Sequence, residues 1–162
     1  MCIRDSEGIF NNKSLQRIEK IENEILEIDG VNQVLSILDA PIVEQPKVSL
    51  SEIGDNIKYL LDESIDLRKA KQEILSNPIY QELIVSKDGS TTAFQILLDK
   101  NEIYESLIQQ RYNLLNSDQP NILFEVNRKI NEQNSLIQEK EKRIVAEIRS
   151  CLLYTSPSTR DS

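Results

Sequence analysis

The closest grouping of carboxylates along the chain is Asp62, Glu63 and Asp66, the residue type that general acid–base chemistry uses in pairs. Two carboxylates must face a common point to share a proton or flank a bond, and neighbours in a helical sequence do not face each other. This spacing therefore reads as a solvated helix end. Lys87-Asp88-Gly89-Ser90 has the small residues of a loop that could cradle an anion. A phosphate loop needs a longer glycine pattern, however, and Asp-Gly between two apolar runs specifies a tight hairpin turn. Asp39 and Asp99 close β-prone runs, where Asp serves turns. Phe94 and Tyr104 could line an apolar ligand cleft, against the commoner fate of aromatic side chains in a core. The sequence has no His and no Trp, and its two Cys and single Met are Cys2, Cys151 and Met1. Between those ends a His general base, a Cys nucleophile, a Cys/His zinc site and a disulfide framework are all excluded. No catalytic, cofactor-binding or metal-ligating residue is assigned, no cofactor is expected, and no enzymatic activity is expected.

The elements that would position these residues follow from apolar spacing. Leu15, Ile18, Ile21, Ile25 and Ile28 recur at steps of three and four, which predicts a helix over 14–29, capped by Ser14 and ended by Gly30 as its left-handed residue. Val31, Val34, Leu35, Ile37 and Leu38 predict a strand over 31–39, broken at Pro41. Ser49-Leu50-Ser51-Glu52 has capping-box spacing and predicts a helix carrying Ile53, Ile57, Leu60 and Leu61. A second short helix is expected over 66–76, stopped by Asn77-Pro78. Residues 83–86 and 91–98 then read as two strands of a hairpin, with Thr92, Phe94, Ile96 and Leu98 on one face. These strands and 31–39 are expected in one antiparallel sheet, with helix 14–29 packed on a face of it.

From Asn101 the character changes. Ile103, Leu107, Leu114 and Leu115 predict a helix over 101–116, and Ser117-Asp118-Gln119-Pro120 a turn. Leu123, Val126, Ile130, Ile137, Ile144 and Ile148 continue as one stripe, predicting a second helix over 121–149 in an antiparallel hairpin. The second helix outruns the first, so its far end must dock on the sheet or on helix 14–29, with the 117–120 turn projecting as a contact point for a neighbour. No window offers the roughly 20 apolar residues of a membrane span. The net charge of −8 disfavours nucleic acid and anionic lipid headgroups, and suits cationic or neutral ligands.

The two ends read differently. Residues 1–6, Met-Cys-Ile-Arg-Asp-Ser, resemble the translation of a transposon end used in sequencing libraries. Cys151 to Ser156 resemble the translation of its reverse complement, and residues 157–162 the adapter beyond it. Arg4, Asp5, Arg160 and Asp161 cancel, so the charge of −8 is unchanged without these ends. The expected organisation is an adapter artefact at 1–6, an α+β segment at 7–100, a long helical hairpin at 101–150 and an artefact at 151–162. Both end segments are expected to pack little and to join no sheet, apart from a few residues of helical run-on.

Several stretches together carry a family resemblance. They are the 15–30 helix followed by Val31-Asn32-Gln33-Val34-Leu35-Ser36-Ile37-Leu38-Asp39-Ala40-Pro41, then Asn77-Pro78-Ile79-Tyr80, then Leu83-Ile84-Val85-Ser86-Lys87-Asp88-Gly89 and Thr91-Thr92-Ala93, and finally Ile144 to Arg149. In this order they resemble the first large extracytoplasmic loop of resistance-nodulation-division (RND) superfamily exporters of the MMPL-like type. The resemblance implies an α+β piece of a ferredoxin-like porter subdomain in a proton-driven exporter of hydrophobic or amphiphilic substrates, in a bacterial inner membrane, with this segment periplasmic. The implied partners are the transmembrane part of its own chain, neighbouring exporter subunits and the substrate, and no nucleic acid. The family's proton-relay carboxylates lie in transmembrane helices, so none carries over onto these positions. The rival reading is a stand-alone helical adaptor with a small sheet.

Overall fold

A computed structural model describes residues 2–4, 8–43, 57–81 and 83–155, and shows an α+β chain. The first helix, α1 (Asn12–Leu26), buries Leu15, Ile18, Ile21 and Ile25 on one face, as the spacing requires. Its cap is Asn11 rather than Ser14. Asn11 has an extended backbone, its Oδ1 accepts from the Ser14 N–H at 2.9 Å, and its Nδ2 donates to the Gly8 carbonyl at 2.8 Å. Ser14 is buried instead, its hydroxyl donating to the same carbonyl. Replacing Asn11 with Ala is expected to cost about 1 kcal/mol in urea unfolding, the usual worth of such a cap. Gly30 lies beyond the helix end. Its φ of +95° serves the turn closed by the Val31 N–H donating to the Ile28 carbonyl at 3.0 Å.

The strand expected over 31–39 ends early. Strand β2 (Val31–Leu35) gives way to a 3-10 turn at Ile37–Asp39. The Ser36 hydroxyl accepts from the Leu38 N–H at 3.0 Å, and the Asp39 carboxylate accepts from the Ser36 N–H at 2.8 Å. This reciprocal cap satisfies backbone groups that a strand would have offered to a neighbour.

The helix expected to carry Ile57, Leu60 and Leu61 is also corrected, while its proposed start at Ser49–Glu52 lies outside the described residues. Ile57–Lys58 forms strand β4, paired antiparallel with β3 (Ile42–Val43), and a turn follows in which the Tyr59 N–H donates to Asp62 at 2.6 Å. Helix α2 (Leu67–Ser76) is capped by Asp66 and buries Ala70 and Ile74.

The run 91–98 is two strands, β5 (Thr91–Ala93) and β6 (Gln95–Leu98), separated by Phe94. The buried–exposed alternation is the expected one, with Thr92 and Phe94 inward. Its pairing is not. β6 pairs antiparallel with β2, while 84–86 meets β5, as the near half of the expected hairpin: Val85 lies opposite Thr92, the Ser86 N–H donates to the Thr91 carbonyl at 2.9 Å and the Ala93 N–H to the Ile84 carbonyl at 2.8 Å. The Tyr80 carbonyl takes the N–H groups of both Ile84 and Val85, at 3.0 and 3.1 Å, a tight turn that ends this arm of the hairpin at Ile84. The Gly89 turn itself is present, with φ +67°. In place of one sheet, the described residues form three two-stranded antiparallel pairings.

β5 also takes strand β1 (Cys2–Arg4) on its edge, Ile3 opposite Thr92. The expectation that residues 1–6 join no sheet is thus overturned. An open strand edge presents unpaired N–H and C=O groups that any extended segment within reach can satisfy.

Helices α3 (Glu102–Leu114) and α4 (Pro120–Thr155) form the hairpin, with Pro120 in the first helical position, where its missing N–H costs nothing. Near the turn, Val126 and Ile130 pack with Leu107, flanked by Tyr104, Ile108 and Leu114. Farther along, Ile144 and Ile148 enter the main core with α1, the 31–42 segment and α2. Arg143 bonds Asp29 at 3.0 Å, tying the same stretch of α4 to the turn after α1. Cys151 and Leu152 also pack against this core, so the tail is less detached than expected. They fall three and four residues beyond Ile148, on the face that Ile144 and Ile148 already present. Among the described residues no helix is long and apolar enough to cross a membrane.

Candidate functional site: an apolar groove beside a half-buried carboxylate

The turn-rich segment after α2 builds one wall of a groove of about 720 Å³. Asn77 caps that segment with its side chain, accepting from the Ile79 N–H at 3.0 Å, and the Tyr80 carbonyl closes it. These bonds present Ile79, Tyr80, Leu83 and Ile84 to the groove. Leu35 and Ala40 from around the 3-10 turn, and Ala93 and Phe94, complete its apolar lining. Ile79 is 67% exposed and Leu83 71%, so the rim offers apolar surface to solvent rather than hiding it in the core. The volume is that of a small-ligand site. Partial burial and the nearby Glu73 raise the Tyr80 phenol above its ordinary range, which keeps it a hydrogen-bond donor.

Polar groups gather at one end, where Ser36, Asp39 and Gln95 line the groove. Behind them stands Glu22 of α1. Desolvation pushes its carboxyl from 4.5 up to about 7; a hydrogen bond with the Ser36 side chain opposes this, and Asp39 and Glu19 add repulsion. Its Oε1 is buried with no hydrogen-bond partner among the described residues. Sequence reasoning passed over this group. Two signals pointed to it: Glu22 lies between Ile18 and Ile25 on the apolar stripe, and Ser36-x-x-Asp39 has capping-box spacing.

The residues singled out in the sequence are dispersed. Asp62, Glu63 and Asp66 do line a common cleft of about 550 Å³ near the start of α1, but Asp62 and Asp66 are committed to local backbone bonds. Asp62 holds the Tyr59 turn and Asp66 caps α2 through the Arg68 N–H, a bond that lowers its pKa. Asp88 accepts from the Ser86 hydroxyl at 2.6 Å and from the Ser90 N–H at 3.0 Å, bonds that hold its carboxyl down at about 2. A permanently ionised carboxylate in this loop repels the anion that a phosphate cradle would bind. Asp99 ends β6 facing Lys140 at 3.9 Å. Tyr104 packs in the hairpin and lines a second cleft, of about 530 Å³, with Leu136 and Ile137. Phe94 is both core and groove lining. Among the described residues no three His, Cys, Asp or Glu side chains gather as a metal site. Compared with protein-family models, curated proteins and solved structures, the chain matches none.

Proposed function

We propose that this chain is a periplasmic porter-type segment of a proton-driven RND-superfamily exporter, MMPL-like, and that it handles hydrophobic or amphiphilic substrates without bond chemistry. The observation that carries the reading is the apolar groove, because Ile79, Tyr80, Leu83 and Ile84 stand in the stretch that most specifically resembles that family. Its work would be binding and conformational change, with the transmembrane part of its own chain and neighbouring subunits as partners and a bacterial inner membrane as the setting.

Two measurements test this. Genomic DNA flanking the coding segment should encode apolar spans of about 20 residues on either side; a soluble reading frame would remove the exporter reading. In the purified chain, a neutral amphiphile such as 1-decanol should shift the amide resonances of Ile79, Leu83 and Phe94. Leu83→Asn should weaken that binding by about threefold or more, the partial loss of one buried apolar side chain. Shifts scattered over the whole surface would count against a groove.

A second reading, a helical adaptor, is favoured by the hairpin tip. There Tyr112, Leu115, Ile122 and Phe124 are 70%, 54%, 50% and 69% exposed, apolar surface available to a protein partner. The flanking genomic sequence separates the two.

A further inference from the structure

The groove is apolar along most of its length and acidic at one end. Among the described residues Asp39 is the only charged side chain that lines it, Ser36, Gln95 and Tyr80 supply the other polar side-chain atoms, and no Lys or Arg does so. The carboxylate of Glu22 stands behind Ser36, within electrostatic reach of Asp39, so the field at this end has one sign. The chain as a whole carries −8. An anionic headgroup placed here would be repelled by Asp39, and a neutral one would gain nothing from its charge.

We propose that the groove takes an amphiphile with a cationic headgroup, its ammonium on Asp39 and its apolar body along Ile79, Leu83 and Phe94. The proposal rests on the reading of the groove as a substrate site and names the class of substrate. Asp39 is exposed, so the ammonium keeps part of its hydration and the contact acts as a solvent-screened ion pair that selects among amphiphiles. Burial of the tail supplies most of the affinity, and the headgroup supplies the preference.

Three ligands of equal tail length separate these contributions: decylammonium, 1-decanol and decanoate, titrated into the full chain at 150 mM salt and followed by amide chemical shifts. Decylammonium is expected to bind about three- to fivefold more tightly than decanol, the worth of an exposed ion pair, with decanoate the weakest. Asp39→Asn keeps an acceptor for the Ser36 N–H and should abolish the preference, bringing decylammonium level with decanol. Glu63→Gln removes one charge away from the groove and should leave the preference intact, which separates a local effect from the net charge. Gln95→Lys places a cation in the groove without touching the 3-10 turn, and should turn the preference toward decanoate. Equal affinities for all three ligands, or a preference that survives Asp39→Asn, would overturn the headgroup assignment alone. Failure of decanol and decylammonium to bind at the groove would overturn the substrate-site reading with it.

Discussion

Ile144→Ala is expected to destabilise the chain by about 2–5 kcal/mol, more than any other single truncation along α4. Ile144 is 1% exposed and lies in the main core, although it belongs to the hairpin by sequence. The reason is length. α3 has 13 residues and α4 has 36, so at 1.5 Å per residue they span roughly 20 and 54 Å. The part of α4 beyond the reach of α3 has to cover its stripe elsewhere, and it does so against α1. The crossing is close: a Cβ added to Gly30 would stand 3.0 Å from Ile144 Cδ1 and 2.4 Å from Lys140 Cε. Removing three carbons from Ile144 therefore opens a cavity that neither helix can close without moving the other. Between the two anchorages, residues 138–143 are exposed, so the two clusters should respond separately. Hydrogen exchange of the variant should speed up around 140–150 and in α1 while the amides near Leu107, Val126 and Ile130 keep their protection. A loss below about 1 kcal/mol, or uniform acceleration along α4, would show that the distal half is not docked as a separate unit.

What was legible in the sequence, and what was not, divides by the range of the deciding interaction. The α1 stripe, the alternation of 92, 94, 96 and 98, and the docking of the long helix are periodic signals extending over several residues, and burial fixed them as read. Local hydrogen-bond competition decided the rest. Ser36 and Asp39 cap each other and cut a strand short; the Tyr80 carbonyl takes the Ile84 N–H and ends the 84–86 hairpin arm there; Asn11 outcompetes Ser14 for the helix start. Each alternative uses the same residues and the same donors, and periodicity does not rank them. Ile57 is a third kind of failure, since an apolar residue in a short window suits a strand or a helix equally until its partner, here Val43, is known. The candidate site suffered most. A groove is a relation between segments distant in sequence: Phe94 and Asp39 were noticed one at a time, and Glu22 was hidden inside an apolar stripe.

Glu22→Gln is expected to stabilise the chain at pH 8 by about 1–2 kcal/mol and to change little at pH 4.5. In the folded chain the Glu22 carboxyl is raised from 4.5 to about 7, first by desolvation and then by Asp39 and Glu19. Below pH 4.5 the group is protonated whether the chain is folded or not, and it carries no penalty. Between 4.5 and about 7 the unfolded chain releases the proton and the folded chain keeps it, so stability falls as pH rises. Above about 7 both states are ionised and the full cost of a charge beside Asp39 is present. At full strength a displacement of that size corresponds to about 3 kcal/mol, and the half-exposed position of the carboxyl reduces it to about 1–2. Gln retains an oxygen to accept the Ser36 hydroxyl and never ionises, so the difference between the two proteins isolates this one group from every other titration. Urea unfolding of both proteins at half-unit steps from pH 4.5 to 8 should give a difference that grows through that window and levels off. A difference that is constant with pH would mean that Glu22 is ionised in the folded chain throughout, with its charge solvated rather than held against Ser36. The same curve bears on the groove, because a neutral Glu22 below pH 7 leaves Asp39 as the single charge at its acidic end. If the two carboxylates act together on a cationic headgroup, the decylammonium preference should strengthen as pH rises through about 7 in the parent protein and stay flat in Glu22→Gln.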